Sequence, residues 1–255
     1  MRSPRGRFWD TGCGLNYPLV FSDMASLVLV TRPIEQAAEF AEQIRAAGLT
    51  PLIQPLLTIS PRDVVLTDAD MPAAIILSSR QSLKNVHIPS VWQDMTVFCV
   101  GAMTEKTARQ AGLTNIITGQ GNLADLFPLI RARIPAGRTL LYLRGENVTY
   151  DLHRELADYQ IQEVTTYYAT PAAHFKPEVL EDFAQIDVIT LFSVRSAAVL
   201  RHLIHENGLI SYVKNINLLC LSASVVESMV EINWKSCMTP DLPTQFSMLE
   251  KLKSM

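Results

Sequence analysis

Two segments of the sequence end an apolar run in hydroxyl side chains: ITLFSVRSAAVL, Ile189 to Leu200, and IILSSRQSLKNV, Ile75 to Val86. Ser193 and Ser196 of the first fall where Ser79 and Ser82 fall in the second, which suggests a repeated unit. A hydroxyl between a strand and a helix can cap the helix, a role worth about 1 kcal/mol with no ligand involved. The same place is also suited to anions, because the free N–H groups and positive dipole end of the helix attract carboxylate or phosphate. Ser79, Gly101, Ser193 and Ser222 all fall at such strand ends, with Arg32, Arg80, Arg144 and Arg195 beside them. That pattern points to a grip on a small polyanion.

The tyrosine pair in QEVTTYYATP offers acid chemistry. Strand alternation puts Val164, Thr166 and Tyr168 on one face, and Thr165, Tyr167 and Ala169 on the other. One ring packs and the other emerges. A phenol of pKa about 10 stays protonated at neutral pH and can donate to a departing hydroxyl. Core or interface packing is the competing role for Tyr168.

Other chemistries are excluded by their missing motifs. No GxGxxG follows a strand, GxxxxGK[ST] is absent, and GQG, Gly119 to Gly121, is too short to cradle phosphates. A GxSxG elbow is missing as well. His202 and His205 share a helix face without HExxH or Cys/His spacing, so they read as a solvated helix end and no metal site is expected. Cys13, Cys99, Cys220 and Cys237 show no CxxC spacing, which fits a reduced, cytoplasmic chain. The net charge of -3 and the lack of basic runs argue against nucleic acid, and no apolar stretch reaches the roughly 20 residues that span a bilayer.

The elements that must position these residues follow from periodicity. LVLV, Leu27 to Val30, reads as a strand, and Pro33 suits the start of a helix with the stripe Ile34, Ala37, Ala38, Ala41 and Ile44, stopped at Gly48. PLIQPLLTIS, AAIILSS, TVFCVG, NIITG, TLLYLRG, QEVTTYYAT, VITLFS, NLLCLS and KSCMT continue as strand candidates between helix-length segments. Alternating strands and helices imply parallel sheets covered on both faces. So many strands favour two sheets. FCVGAMTEKTARQAG, Phe98 to Gly112, also matches LCLSASVVESMVEIN, Leu219 to Asn233, so each half repeats strand, serine turn, helix, strand, small-residue turn and helix. Residues 1–24, rich in Arg, Pro and Gly and ending at a second methionine, are expected to form a disordered extension.

The ordered set VLVTRP, ILSSRQS, CVGAMTEKTARQAG, LYLRGE, YAT and LFSVRS resembles the uroporphyrinogen-III synthase family over Leu27 to Leu252. The resemblance implies two flavodoxin-like α/β domains joined by a two-stranded β connector, PLIQPLLTISP outward and EVTTYYATPA returning. Domain one would combine 25–60 with 166–255, and domain two would span 61–165. It implies a cytoplasmic, monomeric lyase that cyclises hydroxymethylbilane with inversion of ring D, without cofactor, the substrate arriving by hand-over from hydroxymethylbilane synthase. Tyr168, in the place of the family's Tyr-x-Thr, would be the proton donor. Substrate carboxylates would meet Arg32, then Ser79 and Arg80, Gly101 and Thr104, Arg144 and Gly145, Ser193, Val194, Arg195 and Ser196, and finally Ser222 and Ser224. One turn departs from the family: SASVV, Ser222 to Val226, lacks its glycine and its threonine.

Two other functions fit parts of this pattern. A non-catalytic two-domain protein could grip an anionic small molecule at the same helix ends. A receiver-type regulator would need an aspartate at a strand's carboxyl end, whereas Asp63, Asp70 and Asp187 lie at the opposite edge.

Overall fold

The computed structural model describes residues 25–148 and 150–255, so the expectation for residues 1–24 lies outside the described residues. The chain is mixed α/β. Thirteen strands are found among the described residues: β1 (Leu27–Val30), β2 (Thr50–Ile53), β3 (Leu57–Pro61), β4 (Val64–Val65), β5 (Ala74–Leu77), β6 (Val86–His87), β7 (Val97–Cys99), β8 (Ile116–Thr118), β9 (Thr139–Gly145), β10 (Gln160–Pro171), β11 (Ile186–Leu191), β12 (Asn217–Cys220) and β13 (Ser236–Met238). They are covered by α1 (Ile34–Ala46), α2 (Ala102–Gln110), α3 (Leu126–Arg133), α4 (Leu152–Glu155), α5 (Pro177–Glu181), α6 (Val194–Glu206), α7 (Ile210–Val213), α8 (Ala223–Glu227) and α9 (Gln245–Lys253).

One sheet is parallel throughout, in the order β13-β12-β11-β1-β2. Its central strands β1, β11 and β12 are largely apolar and buried because both faces are covered, whereas the edge strands β2 and β13 are only partly buried. The period of two still divides the core: Leu29, Ile189, Leu191 and Leu218 enter one buried cluster, while Val28, Val30, Val188 and Leu219 enter the other. The second sheet runs β3-β10-β9-β5-β7-β8 and is parallel except at β3. Ile76, Phe98, Leu140 and Tyr142 fill one side of it, and Ile75, Leu77, Val97 and Leu143 the other. A short parallel pair, β4 with β6, stands apart.

The run PLIQPLLTIS is not one strand. It breaks at Gln54, where Gln54 N–H donates to Val30 O at 3.0 Å and Leu56 N–H donates to Thr31 O at 3.1 Å, so β2 and β3 enter different sheets. The buried Gln54 amide oxygen accepts from Lys176 N–H at 2.8 Å, pinning the crossing. β10 likewise changes partner along its length. Gln160–Thr165 pairs parallel with β9, a bulge falls between Thr165 and Tyr167, and Tyr167–Pro171 pairs antiparallel with β3.

Three local readings need correction. The core stripe of α1 is Ala37, Phe40, Ala41 and Ile44, with Ile34 and Ala38 exposed, and Pro33 sits at the N-cap. Phe40 completes the i, i+3, i+4, i+7 pattern and meets Phe192 edge-on at 5.6 Å. The helix expected after Ser79 is a single 3-10 turn, Arg80–Leu83, ended by Asn85 in the left-handed region at φ 59 with its side chain donating to Asp63 at 3.0 Å. The repeat therefore diverges, since the matching turn at Ser193 launches the 13-residue α6. The third correction is at Ser222, which holds the N-cap position of α8 but caps no backbone N–H with its side chain.

Ser193 does cap as expected, its Oγ accepting from Ser196 N–H at 3.1 Å. Ser193→Ala should lower unfolding stability by about 1 kcal/mol in urea titration, with the slope unchanged. No helix among the described residues is long and apolar enough to cross a membrane.

Candidate functional site

The carboxyl ends of β1 and β11 in one sheet, and of β5 and β9 in the other, open onto a shared cleft, the position where parallel sheets bind ligands. A cavity of about 380 Å³ is bounded by Arg32 and Gln36 after β1, Phe192, Ser193, Arg195 and Ser196 after β11, and Leu57, Ile59 and Ala169 of the β3–β10 pair. Ser79, Gln81, Gly145, Glu146, Asn147 and Tyr167 close it from the second sheet. A larger cavity of about 910 Å³ carries Ser78, Val100, Asn122, Tyr142, Tyr150, Leu221, Ser222, Ser224 and Leu242. Asn147, Tyr167 and Leu221 line both, so the two are parts of one cleft.

Two cations in this cleft have no carboxylate partner among the described residues. Arg32 donates through Nε and Nη2 to Gln36 Oε1 at 3.0 and 2.6 Å and through Nη1 to Gln245, and its guanidinium lies 4.3 Å over the Phe192 ring. Burial, and then the field of Arg80, push Arg32 down to about 10, with Glu39 opposing. It remains charged at neutral pH. Arg195 donates to Ala169 O, and Asn147, with its amide oxygen turned to the guanidinium, accepts from Nη1 at 2.8 Å and Nη2 at 3.2 Å. Each is held by neutral acceptors, so the charge is unspent and available to an anion.

The other expected residues divide. Ser79, Gly145, Ser193 and Ser196 line the smaller cavity with the two arginines, and Ser222 and Ser224, joined at 3.0 Å between their Oγ atoms, line the larger one. Arg80 faces a separate groove with Glu35, Glu39 and Lys84. Thr104 is buried, and neither it nor Gly101 lines the cleft, although Val100 beside them does. Val194 is 47% exposed and lines neither cavity. Arg144 is already engaged: Nε donates to Glu163 at 2.8 Å, and Nη1 to Gly145 O and Glu146 O, both at 2.9 Å.

Tyr168 is exposed and lines neither cavity, whereas Tyr167 lines both. The Tyr167 ring lies against Gly145, where a Cβ would stand 2.6 Å from the ring carbon that bears the hydroxyl. The residue at 145 must therefore be glycine for the ring to lie where it does, a role distinct from substrate contact. Sequence reasoning missed Tyr142 and Ser78. The Tyr142 hydroxyl donates to Ser78 Oγ at 3.0 Å, and burial holds its phenol above the ordinary value. The doubled serine of LSSR is the signal that could have marked Ser78.

No cluster of three His, Cys, Asp or Glu side chains suited to a metal is found among the described residues. His202 is exposed on α6, 3.8 Å from Glu206.

A sequence model of the uroporphyrinogen-III synthase HemD family matches residues 38–250. No curated protein matches the chain by sequence. Among solved structures, the chain is similar to uroporphyrinogen-III synthetase from Helicobacter pylori, with TM-score 0.60 and 16% identity over 91% of this chain and 99% of that one. A mutant uroporphyrinogen III synthase from Thermus thermophilus gives TM-score 0.58 and 15% identity over 90% and 98%. At that identity the two structures speak for the fold.

Proposed function

This chain belongs to the uroporphyrinogen-III synthase family, and on that premise we propose how its cleft carries out the family's reaction. It is an enzyme that converts hydroxymethylbilane to uroporphyrinogen III, inverting ring D as the macrocycle closes; a binding-only role is not favoured. We assign it to the cyclising hydro-lyases and read it as a cytoplasmic monomer that takes its substrate from hydroxymethylbilane synthase. The two sheets are read as the cores of two flavodoxin-like domains, with β3 and the outer half of β10 as the connector.

The observation that carries the site assignment is the pair of carboxylate-free arginines, Arg32 and Arg195, facing one cleft with a phenol. Hydroxymethylbilane carries eight carboxylates, which need dispersed cations and N–H groups more than one deep pocket. The Ser193 turn at the start of α6 supplies such N–H groups, and Ser79, Ser196, Ser222 and Ser224 supply hydroxyls.

Tyr167, in place of the Tyr168 expected from the Tyr-x-Thr resemblance, is assigned as proton donor because it is the tyrosine of the pair that lines the cleft. Its proton completes the leaving water, ring D attacks the methylene so exposed through its substituted carbon, and the spiro product fragments and closes in the inverted sense. The protein's task is to hold the folded chain while these steps run, so positioning dominates. Gly145→Ala should displace the Tyr167 ring and lower kcat by about tenfold or more, with circular dichroism unchanged.

The test is to give the purified protein hydroxymethylbilane, oxidise the products and separate the isomers. Isomer III is expected; isomer I alone would overturn the assignment.

A further inference from the structure

The cleft that receives a polyanion also holds an anion. Glu146 lines the smaller cavity beside Arg32, Arg195 and Tyr167, is exposed, and forms no ion pair among the described residues. Its backbone is fixed on both sides. Glu146 N–H donates to Tyr167 O at 3.0 Å, and Glu146 O accepts from Arg144 Nη1 at 2.9 Å. Arg144 is itself held by Glu163 at 2.8 Å, so the Arg144 guanidinium is spent on placing this loop. Gly145 and Tyr167 are register partners across β9 and β10, which puts the residue after Gly145 next to the phenol.

A carboxylate here opposes substrate binding, since it repels the acetate and propionate arms. It becomes favourable only toward a part of the substrate that turns positive. Resting on the reading that Tyr167 expels the hydroxyl, we propose that Glu146 is a further catalytic residue, the counter-charge to the cation formed when water leaves. The C–O bond of the hydroxymethyl group breaks, its electron pair departs with oxygen, and the Tyr167 proton completes water. The pyrrole nitrogen's electron pair spreads the positive charge over methylene and ring, facing Glu146. At closure, the proton lost from the ring D carbon returns to the Tyr167 phenolate, so one water is lost overall and Glu146 takes no part in the proton transfers. An interaction present in the transition state and repulsive in the ground state raises kcat and KM together.

Glu146→Gln therefore gives a signed result in a steady-state assay with hydroxymethylbilane. We expect kcat to fall about tenfold, the scale of one charge interaction in a partly wet cleft, and KM to fall as well. The drop in KM shrinks as salt rises, because it reflects repulsion between screened charges. An unchanged kcat, or a lower kcat with a raised KM, overturns the role of Glu146 while leaving the function in place. Wild-type protein yielding no isomer III would instead overturn the reading on which the proposal rests. Thermal melting of the variant matches wild type, as an exposed side chain without an ion pair requires.

Discussion

Arg32→Ala raises KM for hydroxymethylbilane by about 10- to 100-fold, the worth of a charge-assisted bond to a carboxylate, while the protein stays folded. The reason lies in what already surrounds the guanidinium. Gln36, Gln245 and the Phe192 ring orient it without neutralising it, so a substrate carboxylate gains both charge and fixed geometry. Stability should change little, because removing the cation also removes the cost of burying it, offsetting the lost stacking on Phe192. Arg32→Lys recovers only part of the affinity, since an ammonium lacks the planar fork that meets Gln36 and a carboxylate at once. The pH dependence follows from the depressed value. A cation pushed down to about 10 is charged at neutrality and loses its charge as pH rises through 10, so wild-type KM is flat near neutrality and climbs there. In Arg32→Ala that climb should flatten. An unchanged KM would remove Arg32 from the substrate's anion sites.

Much of this cleft is legible in the sequence, and what is not legible has a common cause. The mostly apolar central strands, the α6 cap at Ser193 and the approach of Arg32 and Arg195 to strand ends are local facts, fixed by a few neighbouring residues. Charge balance is not local. Arg144 looks as free as Arg195 in the sequence, yet the strand that pairs with β9 brings Glu163 to it. Gly145 fits a reading of backbone approach to a ligand, but the group that needs its missing side chain is the Tyr167 ring, 22 positions on. Phe40 has the right spacing, three residues after Ala37 and four before Ile44, and it is the large side chain of that buried stripe. The turn after β5 shows a further limit: identical serine spacing does not ensure a helix when Asn85 takes up the left-handed conformation and the chain leaves for β6.

The same distinction between face and neighbourhood decides the tyrosine pair. Alternation established that Tyr167 and Tyr168 look in opposite directions, but which one meets the cleft depends on the bulge before Tyr167 and on β10 leaving β9 for β3. Tyr167→Phe should lower kcat by about 100-fold or more, the usual contribution of a positioned proton donor, with KM near wild type. The ring that packs against Gly145 is retained, so misfolding cannot account for the loss. Tyr168→Phe, changing an exposed hydroxyl outside both cavities, should leave kcat within about twofold. A second readout is independent of absolute rate. Substrate that is not closed by the enzyme cyclises in solution without inversion, so at fixed protein the Tyr167→Phe reaction shifts toward isomer I, whereas Tyr168→Phe stays with isomer III. If the two variants exchange these behaviours, the departing hydroxyl lies on the β3 side of the connector, and the arginine-lined cavity is left with binding alone.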